Sequence, residues 1–441
     1  MTIALLPSHR SRAALAALGA AGAIVLVATP ASAAPTAPPG FTVTQFAAGS
    51  GTLIKPDDIA RLDGRIFVAF QNGVGPNGEP AKNGTTDSTI VEYSDSGAVL
   101  GRWNATGRVD GLAADPMKHL IYATVNEDSN SSFYVLNPSA AAPLQLRHLT
   151  YNDPNGAITG GTDAVSVDRF GNIYLSASNP AAPDSNVVAK ATIDSPTVGQ
   201  VTVAPTFPAN AAGVNDGNNP GQTTTLAITD PDSNAIVPAS SPRFAGQFVV
   251  DSQGDGQLIF GPLPLGTPTD PSTLTQLTLS VPGQTNGTNP TLDDVRWTNS
   301  SRGVLYVVDQ GANIIYRVSG PFQAGQAFGS APTDASNPPL QGDVVNVDLT
   351  NGQLSPFVTG LNSPKGLLHV GPTDRGLCGT ESRQPVPGQP GTPYANCISG
   401  VARNLATICA GQSTRHAPGQ SGTPFTNCVR DLFRNSNART Q

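Results

Sequence analysis

Charge is scarce in this chain. Asp, Glu, Lys and Arg make up 12% of its 441 residues, and 24 basic against 31 acidic side chains leave a net charge of −7. No run of Lys or Arg occurs. That absence excludes a nucleic-acid or anionic-membrane surface, because phosphate contacts need clustered cations. A helical apolar period is missing until the tail, which excludes a helical bundle. Catalytic signatures are missing too: there is no G-x-S-x-G elbow, H-E-x-x-H, phosphate loop or C-x-x-C. The His residues (His9, His119, His148, His369, His416) have no acidic orienting partner nearby in sequence. Cysteine is confined to four positions beyond residue 377.

Turn formers are abundant, with 47 Gly and 40 Pro. Such a composition either stays disordered or folds into many short strands joined by turns, and regularly spaced apolar strand patterns select the second. The amino end carries His9, Arg10 and Arg12, an apolar stretch over residues 13–28, and Ala31-Ser32-Ala33. This is the pattern of an export signal over 1–33, with a small-residue cleavage site and an apolar core too short to span a bilayer. The expectation is a secreted protein without a membrane span in its mature chain, opening on a linker over 34–40.

One phrase then recurs: an acidic residue, an apolar strand, a Gly-centred turn, and a second strand rich in β-branched and aromatic residues. Its clearest copy is DAVSVDRFGNIYLSAS from Asp163. Others are PDDIARLDGRIFVAFQNG from Pro56, VDGLAADPMKHLIYATVNED from Val109 and DDVRWTNSSRGVLYVVDQGANIIYRV from Asp293. A looser copy joins TLAITDPDSN near Leu226 to QFVVDSQGDGQLIF from Gln247, and SPKGLLHV opens a further strand at Ser363. A single meander cannot bury both its faces, so such units stack radially. The fold expected over 41–371 is an all-β propeller, with six blades favoured and five or seven also accommodated. FTVTQFAAG from Phe41 and QLSPFVTG from Gln353 read as outermost strands, the first closing the ring in its last blade.

VSVDRFGNIYLSAS and LYVVDQGANIIYRV resemble the NHL and SMP-30-like six-bladed propellers. That resemblance implies a divalent ion on the axis and, among the lactonases of the group, hydrolysis. Asn126, Asn179 and Asp309 match the family's metal-binding Asn and Asp positions. Its early Glu, in a Glu-x-Pro-x-Trp setting, has Lys55-Pro56-Asp57 as nearest counterpart here. The leading expectation is therefore a non-enzymatic module binding a small ligand or a protein, with a lactonase-type hydrolase as the alternative.

The candidate residues lie at two loop positions that open on one propeller face. Asp57, Asp58, Asp110, Asp163, Asp293 and Asp294 open inner strands and converge on the axis, a set that suits Ca²⁺, which takes six to eight oxygen ligands. The plainer reading is that they cap their own turns. Asn72, Asn126, Glu127, Asn179, Asp251, Asp309 and Gln310 follow the second strands as candidate ligand-binding groups.

In the tail, over 372–441, PGQPGTPYANCISGVAR from Pro387 matches PGQSGTPFTNCVRDLFR from Pro418. Each copy reads Thr-Pro-aromatic-x-Asn-Cys, so Thr392 and Thr423 are expected to cap short helices. Four Cys allow three connectivities, and the duplication favours Cys378–Cys397 with Cys409–Cys428. A small ligand or an envelope protein is the expected partner.

Overall fold

The computed structural model describes residues 34–371, except 195–198, 218, 271–272, 285–289 and 334–339, and a few tail positions between 384 and 426. Almost all of this is strand, in sheets where alternate side chains pack to opposite faces. The first sheet is a meander of β2 (Pro56–Leu62), β3 (Arg65–Phe70), β4 (Asp87–Tyr93) and β5 (Val99–Thr106), which follow β1 (Thr42–Ala48). Asp63 and Gly64, both at positive φ, turn β2 into β3, as the Asp-Gly pair predicts.

Two further meanders follow: β6 (Val109–Asp115), β7 (Leu120–Val125), β8 (Ser132–Leu136) and β9 (Leu146–Asn152), then β10 (Val165–Val167), β11 (Ile173–Ser176), β12 (Asn186–Ile193) and β13 (Gln200–Pro208). A parallel contact of β13 with β9, Gln200 to Thr202 against Thr150 to Asn152, joins these two into one eight-stranded sheet. The next sheet holds β16 (Pro231–Ile236), β17 (Phe248–Ser252), β18 (Gln257–Gly261) and β19 (Leu274–Thr278). It is extended at its edge by the hairpin β14 (Ala212–Asn215) and β15 (Gln222–Thr225). The fourth repeat thus opens at Pro231 rather than near Leu226. Ser233 and Asn234 interrupt its apolar run and hide the strand from a pattern search.

The last two sheets interlock. Strand β20 (Asp294–Trp297) pairs with β23 (Ala327–Ala331), which continues into β24 (Asp343–Val347) and β25 (Leu354–Val358). The intervening hairpin, β21 (Val304–Asp309) and β22 (Ile314–Ser319), instead joins β26 (Pro364–Val370) and β1 in the final sheet. The stretch from Asp293 to Val318 is therefore divided between two sheets, where its sequence reads as one repeat. The amino-terminal β1 closes the last sheet as expected, pairing with β22 from Thr42↔Ser319 to Ala48↔Ile314.

An apolar cluster fills each gap between successive sheets. Strand β17 illustrates the principle: Val249 packs with Phe260, Trp297 and Val345 on one side, while Phe248 and Val250 pack with Tyr174 and Val188 on the other. Ile59, Ile66, Tyr306 and Ile315 seal the gap between the last sheet and the first. The inner strands touch in a closed cycle, β2 to β6, β10, β16, β20, β26 and back to β2. Sheets arrayed in this way around an axis form a β-propeller. In the tail, Thr392 Oγ1 accepts the Ala395 N–H and Thr423 Oγ1 accepts the Thr426 N–H, each at 3.1 Å, the contacts expected of caps. Cys378, Cys397, Cys409 and Cys428, and the export signal, lie outside the described residues.

Candidate functional site: an acidic well on the axis

Inner strands β2, β6, β16 and β26 each begin with an irregularity, at Pro56/Ile59, Val109/Leu112, Pro231/Asn234 and opposite Val307/Asp309. Bulges of this kind release residues from pairing and re-aim their side chains. The first released position holds Asp57, Asp110, Asp232 and Lys365, and Asp163 and Asp293 stand at the same place before β10 and β20. These residues line a polar well of about 360 Å³ where the inner strands begin. Glu127, Asp128, Asp230, Arg108, Gln253 and Gln310 also contribute to its wall.

The next position does different work. Asp58, only 8% exposed, accepts its neighbour Ile59 N–H at 2.7 Å and the Leu112 N–H of the following sheet at 2.6 Å. Asp294 repeats this device: Oδ2 accepts the Leu367 N–H at 2.7 Å, and Oδ1 meets Ser233 Oγ at 2.9 Å and Arg296 at 2.7 Å. The receiving strands carry Gly111 and Gly366 beside the accepted N–H, because a Cβ on Gly366 would come within 2.6 Å of the Asp57 carbonyl oxygen. Asp58 and Asp294 are thus clamps between sheets, a role reaching beyond the capping of their own turns. Asp57, Asp110, Asp163 and Asp293 face the well, and Asp58 and Asp294 also contribute to its lining.

Within the well, charge compensation is uneven. Lys365 pairs with Asp293, and Arg108 pairs with Asp110 at 2.8 Å and with Glu127 at 2.5 Å. Gln310 Nε2 donates to Asp57 at 2.8 Å, and Gln71 Nε2 donates to Asp110 Oδ1 at 2.9 Å. Gln253 Nε2 donates to Asp232. Asp110 Oδ2 is buried without a partner. Asp163 lines the well at 8% exposure, and no hydrogen bond reaches its carboxylate among the described residues.

Desolvation, and then the charge of Asp293, push the Asp57 carboxyl up to about 8, while desolvation takes Asp58 to about 7. Asp110, Asp163 and Asp232 are likewise raised well above the usual carboxylate range, chiefly by desolvation. Each folded carboxyl holds its proton more tightly than the unfolded chain does. The stability they contribute is full below the unfolded value of 3.8 and is lost as pH rises through about 7 and 8.

Of the second-loop candidates, Glu127 and Gln310 line the well and the others do not. Asn72 and Asn126 sit at positive φ and hold turns, Asn72 donating to the Asp87 carbonyl at 3.0 Å and Asn126 accepting the Arg108 N–H at 2.8 Å. Asp309 accepts the N–H groups of Asn362 and Ser363, both at 3.0 Å. Asn179 lies outside the well, its carbonyl against Gly160. Asp251 is buried at 1% exposure with neither carboxyl oxygen hydrogen-bonded among the described residues, and desolvation raises its pKa well above the model-peptide value. An Asp251→Asn protein is expected to match the wild-type melting midpoint at pH 5 and to exceed it by about 3 °C at pH 8.5, where the buried carboxyl would otherwise ionise. A lower midpoint at both pH values would mean that Asp251 is ionised and paired.

The sequence reading did not identify Asp232, Lys365, Arg108 or Arg296. Aligning DDI, DGL, DAV, DSN, DDV and KGL at the inner-strand openings would have found the first two.

The donor set does not match a preformed cation site. Among the described residues no group of three His, Cys, Asp or Glu side chains converges closely enough to hold a metal ion, and Lys365 stands where a sixth acid would complete the ring. The Ca²⁺ expectation thus finds no matching geometry.

No family profile and no protein of curated function matches the chain. Similar solved structures include a gluconolactonase from Xanthomonas campestris, at 13% identity over 75% of this chain and 86% of that one, with a TM-score of 0.38. A streptogramin B lyase shares 13% identity over 64% and 98%, with a TM-score of 0.30. The hydrazine synthase of Kuenenia stuttgartiensis shares 10% over 68% and 78%, with a TM-score of 0.36. Likenesses this distant say nothing of this chain's activity.

Proposed function

We propose that this chain is an exported, six-bladed propeller that binds a small organic cation, such as an amine, in its axial well, and that it acts as a binding module rather than an enzyme. The observation that carries this reading is Asp110 Oδ2, a buried carboxyl oxygen without a partner among the described residues, with Asp163, 8% exposed, lining the well beside it. A buried polar group without a partner carries a desolvation cost that a charged ligand relieves. An ammonium group donates three hydrogen bonds and can meet several carboxyl groups at once. A volume of about 360 Å³ suits a small molecule. Because the raised carboxyls must ionise to meet a cation, binding releases protons and tightens between pH 5 and pH 8.

Lys365 accounts for preference of an organic cation over a metal. Its ammonium already occupies one arc of the ring, and neighbouring Asp293, Asp57 and Asp232 hold it charged against the opposing pull of desolvation. Replacement by Gln is expected to strengthen stabilisation by Ca²⁺, seen as a larger Ca²⁺-dependent rise in melting midpoint than in the wild type. Wild-type stabilisation by Ca²⁺ equal to that of the variant would contradict this role. The hydrolase alternative is tested in the same preparations: turnover of a lactone that survives gel filtration and is lost in Asp57→Asn would displace the binding reading. The tail, read with Cys378–Cys397 and Cys409–Cys428 bridged, is proposed to dock the propeller onto an envelope component.

A further inference from the structure

A second cavity, of about 430 Å³ and of a different character, is lined by residues further along the same inner strands. Its walls include Ile59, Leu112, Val165, Ile236 and Leu368. The acids in this wall are already engaged. Asp63 pairs with His119 at 2.8 Å, and Asp168 accepts the Phe170 and Asn172 N–H groups at 2.8 and 2.9 Å and Asn172 Nδ2 at 2.7 Å.

The donors are less fully used. Arg169, whose guanidinium lies 5.0 Å from the centre of the Phe170 ring, has a buried Nε with no partner among the described residues. Trp297 lines the same cavity at 6% exposure, and its Nε1–H is also unpartnered. An indole N–H can only donate, and buried indoles usually find an acceptor. His369, 6% exposed, contacts Asn299 Oδ1 at 2.9 Å through Nδ1. Burial pulls its pKa down to about 4, so the ring is uncharged at neutral pH.

We propose that this cavity is a second ligand site, for a small carboxylate with an apolar body. The Arg169 guanidinium faces the carboxylate, the aliphatic walls take the body, and Trp297 Nε1–H donates to an acceptor on it. The two cavities along the inner strands then select opposite charges, an arrangement that nothing in the acidic well requires.

Octanoate, titrated calorimetrically into the purified protein at pH 7, is the probe, with 1-octanol as the uncharged comparison. The expected result is saturable one-to-one binding of octanoate, at least about tenfold tighter than octanol, and weakened about tenfold in Arg169→Gln. Arg169→Gln must retain the wild-type melting midpoint, and Arg169→Lys is expected to recover part of the affinity through its charge. Octanoate that fails to saturate, octanol that binds equally well, or affinity unchanged in Arg169→Gln would each overturn the proposal. So would competition between octanoate and an amine bound in the acidic well.

Discussion

Replacement of Asp294 by Ala is expected to destabilise the protein by about 4 kcal/mol, more than any other single change in the axial ring. Its carboxylate, 4% exposed, serves three partners at once: the Leu367 N–H, Ser233 Oγ and the Arg296 guanidinium. Alanine leaves an orphaned backbone N–H and a half-buried cation without its counter-charge, and each carries its own desolvation cost. Asn at the same place still accepts one hydrogen bond, so Asp294→Asn is expected to lose about half as much. Asp184, which is exposed, is the control, and its replacement by Ala is expected to cost less than about 0.5 kcal/mol. Urea unfolding of the three variants checks the order. Equal, small losses in Asp294→Ala and Asp184→Ala would mean that Asp294 does not clamp the sheets.

Removal of residues 34–50 is expected to abolish cooperative folding. These residues supply β1, the outer strand of the sheet that closes the ring. Phe46 meets Tyr93 and Tyr306 edge-on, with ring centroids 5.7 and 5.0 Å apart, and so joins the last sheet to the first. Phe41 similarly caps Phe322 and Phe357, at 5.1 and 4.9 Å. Without β1 these rings lose their cover and the free edge of β22 is exposed, a template for pairing with another chain. The truncated protein is expected to elute as aggregate and to melt broadly, at least about 10 °C below the full chain. The single replacement Phe46→Ala, costing about 3 kcal/mol, isolates the packing contribution. Truncated protein that melts sharply near the wild-type midpoint would show that the ring does not depend on this seam.

Much of this architecture is legible in the sequence because it is local. Asp63-Gly64 announces a hairpin, DAVSVDRFGNIYLS announces two strands and their turn, and Phe41 to Gly49 has the pattern of an edge strand. What is not legible depends on partners distant in sequence. Nothing within DDVRWTNSSRGVLYVVDQGANIIYRV reveals that β20 pairs with β23 while β21 pairs with β26, because each strand would satisfy either neighbour. The site divides along the same line. Adjacent acids such as Asp57 and Asp58, or Asp293 and Asp294, look equivalent in sequence. Both members of each pair line the well, but only the second also reaches a backbone N–H in the next sheet. Lys365 was hidden because its charge is opposite to that of its counterparts, and Asp232 because polar Ser233 and Asn234 follow it.

The central claim is that the axial well takes an organic cation through carboxylates left unpaired in the fold. Calorimetric titration of 1,4-diaminobutane into wild-type and Asp163→Asn protein at pH 8 tests it most directly. The account predicts saturable one-to-one binding with proton release in the wild type, weakened at least about tenfold by the substitution. Absence of saturable binding, or equal affinity in the two proteins, would contradict it.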